Sequence, residues 1–361
     1  MSGPTEGAIA DTPVSPRRRR RSRRLAVDLS ILGIVGVLLV GATVAGGVTV
    51  YRQFYSPTAF VLHYLGLLGD GRAADALALP GVAVDPTVLT ARGLPSTAST
   101  ALLRQAALGH LSDVHPIAEQ ADGDLTRVTV GYSAGGYPAQ TTFAVRRDGT
   151  AGVLPAWRFD TSPLAIVDLT VLGSADFRVN GFDVDKNQVS AAADQASAVP
   201  LLVFSPGLYS VTVDTPVATA DGVAVLADAP LTQVPVDVQA QPTAQFVSTV
   251  QSRVEQFLTD CTTQRVLQPT GCPFGYVVYN RIDGLPTWSM VKQPTVSIVP
   301  DGANWRIPGT PATAHIEVDI RSVSNGSLHH VSEDVPFLLD GSITTQSDGS
   351  LSIQLGGSAT G

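Results

Sequence analysis

The segment DFRVNGFDVD, residues 176–185, holds the strongest local fold signal in the chain. Apolar and polar residues alternate on both sides of its central Asn180-Gly181 pair, as they do in a half-buried strand. A type I′ turn needs positive φ at both central residues, and Asn followed by Gly meets that need well. The segment therefore predicts a two-residue β-hairpin.

The strand pattern continues outward from this hairpin. Pro206-Gly207 separates a strand pattern that ends at Phe204 from one that starts at Tyr209, which predicts a second turn between paired strands. Residues 163–240 carry almost no helical periodicity. We therefore expect residues 163–240 to form a small β-sandwich.

The segment before the sandwich, residues 56–161, begins with helical signals. Ser56 and Pro57 suit the cap and the first position of a helix, and apolar residues follow at helical spacing. Shorter helices are predicted after Gly71 and over about 97–107, and the period then changes to two, which indicates antiparallel strands and an α+β domain. Strand turns are predicted at Gly135-Gly136 and Asp148-Gly149.

The segment after the sandwich, residues 243–355, repeats this order. A helix is predicted from about Ala244 to Asp260, because apolar residues recur there every three or four positions. Strands are predicted at 276–282, 294–299, 303–307, 314–323, 331–340 and 350–355. Residues 356–361 are expected to form a flexible tail. The predicted fold class is β-rich α+β, with two helix-plus-antiparallel-sheet, cone-shaped domains flanking a small all-β sandwich.

A weak internal repeat supports two related outer domains. Phe143-x-Val145 and Val296-x-Ile298 are each followed by an Asp-Gly pair and a Trp-Arg pair, as in a duplicated module. The gap lengths differ between the two copies, so a chance match is the alternative.

The N-terminal region has a different character. Residues 1–28 are expected to be a disordered, Arg-rich cytoplasmic tail, followed by a transmembrane helix over residues 29–51. The 22 residues from Leu29 to Val50 are uncharged and span roughly 33 Å as a helix, enough to cross a hydrocarbon core. The arginines before this segment place the N-terminus inside and the C-terminal region outside the plasma membrane. These basic residues are Arg17, Arg18, Arg19, Arg20, Arg21, Arg23 and Arg24.

Three other interpretations of this region remain open. A cleaved signal peptide has a shorter apolar core, and the loose cleavage match at residues 43–45 falls inside the apolar run. Residues 22–24 resemble a twin-arginine signal but lack the bulky residues that follow in such signals. The arginines also suit binding to anionic lipid head groups, in addition to setting the topology.

Cys261 and Cys272 are the two cysteines of the chain and lie 11 positions apart. They are expected on the oxidising side of the membrane, where disulfides persist, so we predict a disulfide between them. Zinc is the alternative, but a zinc site needs four ligands, and no histidine lies between His115 and His315.

Charge and composition exclude some classes of protein. The formal net charge is −8, but residues 1–28 carry +4, which leaves −12 on the rest and argues against a nucleic-acid-binding body. Gly and Pro, at 34 and 25 of 361 residues, are too few for a collagen-like or low-complexity chain. The length suits two or three domains.

Two short motifs match catalytic signatures. Gly131-x-Ser133-x-Gly135 follows a strand, as a nucleophile elbow does, but the next residues are β-type, so we interpret the glycines as a hairpin turn. Ser289-x-x-Lys292 matches penicillin-recognising acyltransferases, but no K-T-G or S-D-N partner occurs, and its surroundings are typical of a strand.

Other polar residues have weaker patterns. Residues 183–194 place oxygen side chains at positions 1, 3, 5 and 12 of a calcium-binding loop. Gln188 stands where such a loop needs Gly, so a solvated acidic loop is the other interpretation. His329-His330 is interpreted as a surface pair in a strand, and the tryptophans as core residues. We expect no catalytic residue, no cofactor and no bound metal.

The layout resembles a group of envelope proteins. An Arg-rich tail, one apolar helix and an outer Tyr-Ser-Pro at residues 55–57 are similar to Gram-positive, especially actinobacterial, single-pass proteins with nuclear-transport-factor-2-like outer domains. The hairpin at residues 180–181 and the strand start at residues 206–209 loosely resemble the small β-domains of teicoplanin-resistance-associated membrane proteins. The resemblance implies stacked outer domains that bind or sense at the cell wall, and it carries over no functional residue.

These features lead us to expect a membrane-anchored, extracytoplasmic binding, scaffold or sensor module that is not an enzyme. Its partner is expected to be another envelope protein or the cell wall, and not nucleic acid. A carrier of a small molecule or lipid is the first alternative and predicts a deep apolar cavity in a cone-shaped domain. An unrecognised envelope enzyme is the second and predicts clustered titratable groups with shifted pKa values in a cleft, whereas a binding module predicts an exposed apolar patch.

Overall fold

The computed structural model describes residues 55–151, 154–189, 197–346 and 350–359. The chain divides into two units, residues 1–60 and residues 61–361, and of the first unit the structure describes residues 55–60. Ser56 caps the helix that begins there, since its Oγ accepts a hydrogen bond from the Ala59 N–H at 3.1 Å. The predicted helix start is therefore correct.

The described residues form few helices and many strands. The helices are α1 (Pro57–Gly69), α2 (Ala73–Ala78), α3 (Pro86–Ala91), α4 (Lys186–Val189) and α5 (Ala244–Thr262). The strands are β1 (Leu111–Asp122), β2 (Leu125–Ala134), β3 (Tyr137–Ala151), β4 (Leu154–Phe159), β5 (Leu164–Leu172), β6 (Asp176–Val179), β7 (Phe182–Asp185), β8 (Val199–Phe204), β9 (Gly207–Asp214), β10 (Ala218–Ala227), β11 (Gln233–Gln239), β12 (Gln241–Pro242), β13 (Arg281–Ile282), β14 (Thr287–Lys292), β15 (Val299–Asp301), β16 (Asn304–Arg321), β17 (Leu328–Thr345) and β18 (Leu351–Ala359). This content confirms a β-rich α+β fold.

Helices α1 and α2 match the first two helices that the sequence predicts. Tyr64 on α1 is fully buried and packs edge-on against Phe159 of β4, with ring centroids 5.2 Å apart. Its hydroxyl donates a hydrogen bond to the Ser205 carbonyl at 3.0 Å. This one side chain therefore joins α1 to the first sheet and to the segment that follows β8.

The predicted helix over residues 97–107 is wrong. The segment consists of turns and bends with one isolated β-bridge at Ser99, and it ends in a single 3-10 turn at Gln105–Ala107. The Ser99 N–H donates to the Pro200 carbonyl at 2.9 Å, and the Ser99 carbonyl accepts from the Leu202 N–H at 2.8 Å. Because these bonds to β8 satisfy the N–H and C=O groups of Ser99, they replace the helical hydrogen bonds that local periodicity favours there.

The first sheet is an antiparallel meander in the order β1-β2-β3-β4. Ala134 pairs with Tyr137 across the Gly135-Gly136 turn, which confirms that the Gly-x-Ser-x-Gly motif is part of a hairpin. The turn predicted at Asp148-Gly149 is wrong, because β3 continues through this pair with an irregularity in its pairing to β4. An Asp-Gly pair suits a β-bulge as well as a turn, so the two are not distinguished by sequence.

Residues 164–242 contribute two further sheets. One has the order β12-β10-β9-β6-β7, and the other has the order β11-β5-β8, in which β11 runs parallel to β5. Strands β6 and β7 form the predicted hairpin: Val179 pairs with Phe182, and Asn180 and Gly181 have φ values of 50° and 84°. The type I′ geometry that the sequence predicts is present.

The paired turn predicted at Pro206-Gly207 is wrong. Strand β8 pairs with β5, whereas β9 pairs with β6 and β10, so the chain passes from one sheet to the other at this point. The buried Tyr209 donates its hydroxyl hydrogen bond back to the Phe204 carbonyl at 2.8 Å, across the connection. Apolar residues alternate in the same way in two paired strands of one sheet and in two strands of facing sheets. The sequence pattern therefore does not show whether β8 pairs with β9.

The C-terminal part consists of α5 and a sheet in the order β13-β16-β17-β18, with β14 and β15 also paired to β16. Helix α5 confirms the predicted helix. The predicted strands at 303–307 and 314–323 are parts of one strand, β16, which passes through a pairing irregularity between Ile307 and Thr310. A β-bulge lets a strand bend without ending. It interrupts the alternating sequence pattern, so the pattern predicts two separate strands. Strand β18 extends into the segment 356–361 that we expected to be a flexible tail.

The tryptophans and the strand order bear on two further predictions. Trp288 and Trp305 are buried, which confirms the prediction that they are core residues, and Trp157 is half-buried. Phe143 and Val145 lie on β3, whereas their proposed counterparts Val296 and Ile298 lie between β14 and β15, outside the strands. The strand order therefore does not reproduce the proposed internal repeat.

The predicted membrane anchor falls outside this description. Within the ranges that the structure describes, no helix combines the length and apolar character needed to cross a bilayer. The tail at 1–28, its arginine cluster and the helix at 29–51 lie outside those ranges and stay predictions.

Candidate functional site

Strands β16 and β17 form a long hairpin with one exposed face. Even-numbered residues from 312 to 318 of β16 are buried, and the residues between them face outward because side chains alternate along a strand. The register pairs the outward residues of the two strands, His315 with Asp334, Glu317 with Ser332 and Asp319 with His330. We call these six residues the polar ladder.

Two histidine–aspartate pairs cross the polar ladder. The Nδ1 atom of His315 is 2.7 Å from the Oδ1 of Asp334, and the Nδ1 of His330 is 2.8 Å from the Oδ1 of Asp319. The His315 side chain is 24% exposed and that of His330 is 60% exposed. Since solvent screens exposed charges, the His315 pair is screened less than the His330 pair.

His315 is also the centre of a serine–histidine–aspartate relay. Its Nε2 lies 3.2 Å from the Ser332 Oγ while its Nδ1 faces Asp334. A catalytic base activates a serine nucleophile through this order of hydrogen bonds. Here Glu317 lies 3.9 Å from the same Nε2, and the Asp334 side chain is 60% exposed. An open, solvated face weakens the electrostatic contribution of such a relay, so the arrangement suits polar recognition better than catalysis.

The turn end of the same hairpin exposes apolar side chains. Strand β13 pairs with the end of β16, and the Asp283–Arg321 ion pair, 2.9 Å long, fixes it there. Five exposed residues at this end form what we call the apolar tip: Tyr279 (95% exposed), Val323 (76%), Leu285 (61%), Leu328 (56%) and Ile282 (40%). Within this set, Ile282 lies beside Ile320 on the core-side face of the sheet, and Leu328 lies beside Arg321 on the face of the polar ladder. The apolar tip therefore exposes apolar side chains on both faces of this end of the sheet.

The loop that carries Tyr279 is held at its start by the predicted disulfide. Cys261, at the end of α5, is bonded to Cys272, and their Cα atoms are 5.9 Å apart. Beside it, the Trp288 Nε1 donates to the Val266 carbonyl at 2.8 Å. These contacts position the loop next to the hairpin.

A cleft of about 340 Å³ lies at strands β6, β7 and β9. The Arg178 Nε is 2.6 Å from the Asp183 Oδ1, and its Nη1 is 3.3 Å from the Asp214 Oδ2. Burial, and then the neighbouring Asp185 and Asp183 carboxylates, raise the pKa of Asp176 in the same cleft. The cleft is therefore acidic, with one guanidinium that pairs with two of its carboxylates.

The candidate calcium loop begins in this cleft. Asp183 is paired with Arg178, and the Asp185 Oδ1 accepts a hydrogen bond from the Asn187 N–H at 2.9 Å. Asp194 lies outside the described residues. Across the described ranges, no three His, Cys, Asp or Glu side chains are grouped so that they could hold a metal ion. The described carboxylates of the loop are engaged within the protein.

Two further clefts have volumes of about 510 and 300 Å³. The larger lies where Pro308-Gly309 of β16 meets Asp340 of β17 and Gly356 of β18. The smaller lies at β10, beside Asp221. Polar groups line both clefts, so none of these three clefts is the deep apolar pocket that a carrier predicts.

The remaining sequence candidates fall on strands. Ser289 and Lys292 lie on β14, which confirms the strand interpretation of their motif, and Ser289 is opposite His315. His329 and His330 are exposed on β17, as predicted for a surface pair. Outside the described residues are the seven arginines before the predicted transmembrane segment.

The polar ladder could not be read from the sequence alone. Polar and apolar residues alternate visibly from 314 to 320, and this signal predicts an exposed strand face. The partners of His315 and His330 come from the neighbouring strand, so only the register reveals them.

Comparison with known proteins adds no relative from which a function could be transferred. No family model matches the chain, and no curated protein matches it. The site is therefore interpreted from its own geometry.

Proposed function

We propose that the chain is a binding module of the bacterial cell envelope, anchored in the plasma membrane, that acts as a scaffold or sensor and catalyses no reaction. Residues 1–28 form its cytoplasmic tail, residues 29–51 its single transmembrane helix, and the remainder lies outside. The partner is another envelope protein or the cell wall. The seven arginines before an uncharged span of 22 residues support this topology.

The observation that supports a binding function is the apolar tip. A binding module predicts exposed apolar residues, and five of them lie at or next to the turn end of one hairpin, with Ile282 and Leu328 on opposite faces of the sheet. The Asp283–Arg321 ion pair joins the end of β13, which carries Ile282, to the end of β16. Because a fixed surface loses less conformational freedom on binding, this arrangement favours association.

The division of the outer region is part of the same proposal. In it, cone-shaped α+β domains at 56–161 and 243–355 flank a small sandwich at 163–240, as in Gram-positive envelope proteins with nuclear-transport-factor-2-like domains. The meander β1–β4 below α1 and the sheet around β16 beside α5 support two helix-plus-sheet domains.

An envelope hydrolase is the second candidate, and the relay of Ser332, His315 and Asp334 favours it. The 3.2 Å and 2.7 Å contacts have the required order. The exposure of the face and the competing Glu317 carboxylate weigh against it. Labelling of Ser332, described below, separates the two candidates.

Photo-crosslinking in living cells tests the binding function. A photoreactive amino acid replaces Leu328 in the apolar tip, and a matched variant carries it at Val88, an exposed residue of α3. We expect a discrete adduct from position 328 in the membrane fraction and none from position 88. Equal adducts from both positions, or none from 328, would contradict the proposal.

A further inference from the structure

We infer that the outer edge of β17, residues 328–334, binds an extended peptide as an additional strand, and that this peptide alternates basic and apolar residues. The inference rests on the proposed binding function and deepens it, because it assigns a mode of binding and the chemistry of the partner.

The edge follows from the strand pairing. Strand β16 pairs with β17 from Leu328 to Ile343, whereas β18 pairs with β17 only from Phe337 to Thr345. On the side away from β16, residues 328–334 have no strand partner in the part of the chain that the structure describes. Such an edge presents unpaired N–H and C=O groups to which a partner strand can bond.

The register shows which backbone groups point outward. Successive residues of an antiparallel strand direct their backbone groups to opposite sides. The Ser322 N–H donates to the Ser327 carbonyl at 2.9 Å, so the backbone groups of odd-numbered β17 residues face β16. The pair of Asp319 and His330 is consistent with this register. The Asp319 carbonyl points away from β17, because it accepts a hydrogen bond from the Asp283 N–H at 2.7 Å on the far side of β16. Within residues 330–334, the outward N–H and C=O groups belong to His330, Ser332 and Asp334.

The charge of the adjacent face selects the partner. The polar ladder contains the carboxylates Glu317, Asp319 and Asp334 and no Lys or Arg. On the opposite face, Val331 and Val335 are partly buried against the hydrophobic core, and between them the Glu333 carboxylate accepts a hydrogen bond from the Tyr276 hydroxyl. An added strand places alternate side chains on these two faces. Lys or Arg therefore fits beside the ladder, and apolar residues fit beside the two valines.

The length of the edge sets the length of the bound segment. From His330 to Asp334 the strand spans five residues, or about 17 Å, which matches about five residues of a partner. Pro336 has no N–H and ends the edge. Leu328 of the apolar tip lies at the other end of the edge, on the same face as the polar ladder.

Hydrogen exchange on the purified full-length chain in detergent tests the inference. The probe is the peptide KVKVKVK, and the control is EVEVEVE, which has the same alternation and the opposite charge. We expect KVKVKVK to slow amide exchange at His330, Ser332 and Asp334, while the amides of Val331 and Glu333, already bonded to β16, change little. EVEVEVE should slow none of them.

Two variants separate backbone pairing from charge. Ser332→Pro removes one outward N–H without removing a bond to β16, so the protection and the binding should be lost. Asp334→Lys keeps the backbone and reverses the charge, and should weaken binding on the order of tenfold. Asp124→Lys, at the exposed β1–β2 turn, makes the same charge change elsewhere and should leave binding unchanged.

The results that overturn the inference are specific. Equal protection by EVEVEVE, protection outside residues 328–336 only, or unchanged binding by both variants at the edge would each overturn it. The photo-crosslink at position 328 remains the separate test of function. If that adduct forms and survives both edge substitutions, the binding function stands and the peptide inference fails. If the peptide binds but no adduct forms in cells, the binding function fails.

Discussion

The Nδ1 atom of His315 lies 2.7 Å from the Oδ1 of Asp334, although the two residues are 19 positions apart in the sequence. The pairing of β16 with β17 creates this contact, because non-hydrogen-bonded pairs of an antiparallel ladder bring their side chains close together. The same hairpin carries the polar ladder, the open edge and part of the apolar tip. The proposed binding function therefore depends on the register of one pair of strands.

Ser332 is expected to resist phosphonylation by a serine-reactive probe even though it contacts His315 at 3.2 Å. The face is solvated, and the competing Glu317 carboxylate lies near the same imidazole nitrogen, so little activation of the hydroxyl is expected. The purified chain is incubated with a fluorophosphonate probe and its peptides are analysed by mass spectrometry. Stoichiometric labelling of Ser332 that disappears in His315→Ala would favour the hydrolase instead.

Removal of the disulfide should destabilise the outer region. The Cys261→Ser, Cys272→Ser double variant loses a crosslink between residues 11 positions apart, which costs roughly 3 kcal/mol of unfolding free energy by restriction of the unfolded chain. Urea denaturation of both proteins measures the difference, and a reducing agent should affect only the unsubstituted chain. Free thiols at both positions in non-reduced peptides would contradict the prediction.

Gly181→Ala should destabilise the β6–β7 hairpin by about 1 kcal/mol or more, because Gly181 has φ of 84°, where a Cβ is strained. Gly284→Ala is the matched control, since nothing lies within 4 Å of its added Cβ and its φ is not positive. Thermal denaturation compares the two. An equal effect of both substitutions would show that the turn geometry does not matter.

Asn180→Ala should lower the free energy of unfolding by more than the loss of a favourable turn residue would. The Asn180 Nδ2 donates to the Ala107 and Leu208 carbonyls, each at 3.0 Å, and its Oδ1 accepts from the Ser210 N–H at 2.8 Å. Loss of these three bonds should lower the unfolding free energy by about 2–3 kcal/mol. A change below about 0.5 kcal/mol in denaturation would contradict this, since that is the range of ordinary surface substitutions.

Asp176 should make the fold less stable as the pH rises. Its pKa in the folded state is raised by burial and by Asp185 and Asp183, so between the unfolded and folded pKa values the folded state binds more protons. The free energy of unfolding therefore falls through that window, and the loss is complete above it. Asp176→Asn should stabilise the protein at neutral pH and remove this dependence, whereas Asp124→Asn should not. Denaturation over a series of pH values measures the effect of Asp176→Asn on the free energy of unfolding. A stabilising effect that grows toward low pH would contradict the predicted direction.

Local patterns predicted the elements whose shape is set within a few residues. The Asn180-Gly181 hairpin and helix α5 depend on turn chemistry and on periodicity, which a sequence displays directly. The connection at Pro206-Gly207 and the β-bridge at Ser99 depend on which distant strand supplies the hydrogen bonds. A local pattern carries no information on that partner, and the polar ladder was hidden for the same reason.

The location of the described residues is the claim on which the proposed function depends, and thiol labelling in intact cells measures it. Ser324, in the exposed β16–β17 turn, and Thr5, in the N-terminal tail, are each replaced by Cys. A membrane-impermeant maleimide should label Ser324→Cys in intact cells, and Thr5→Cys only after lysis. Labelling of Ser324→Cys only after lysis would contradict an extracytoplasmic binding module.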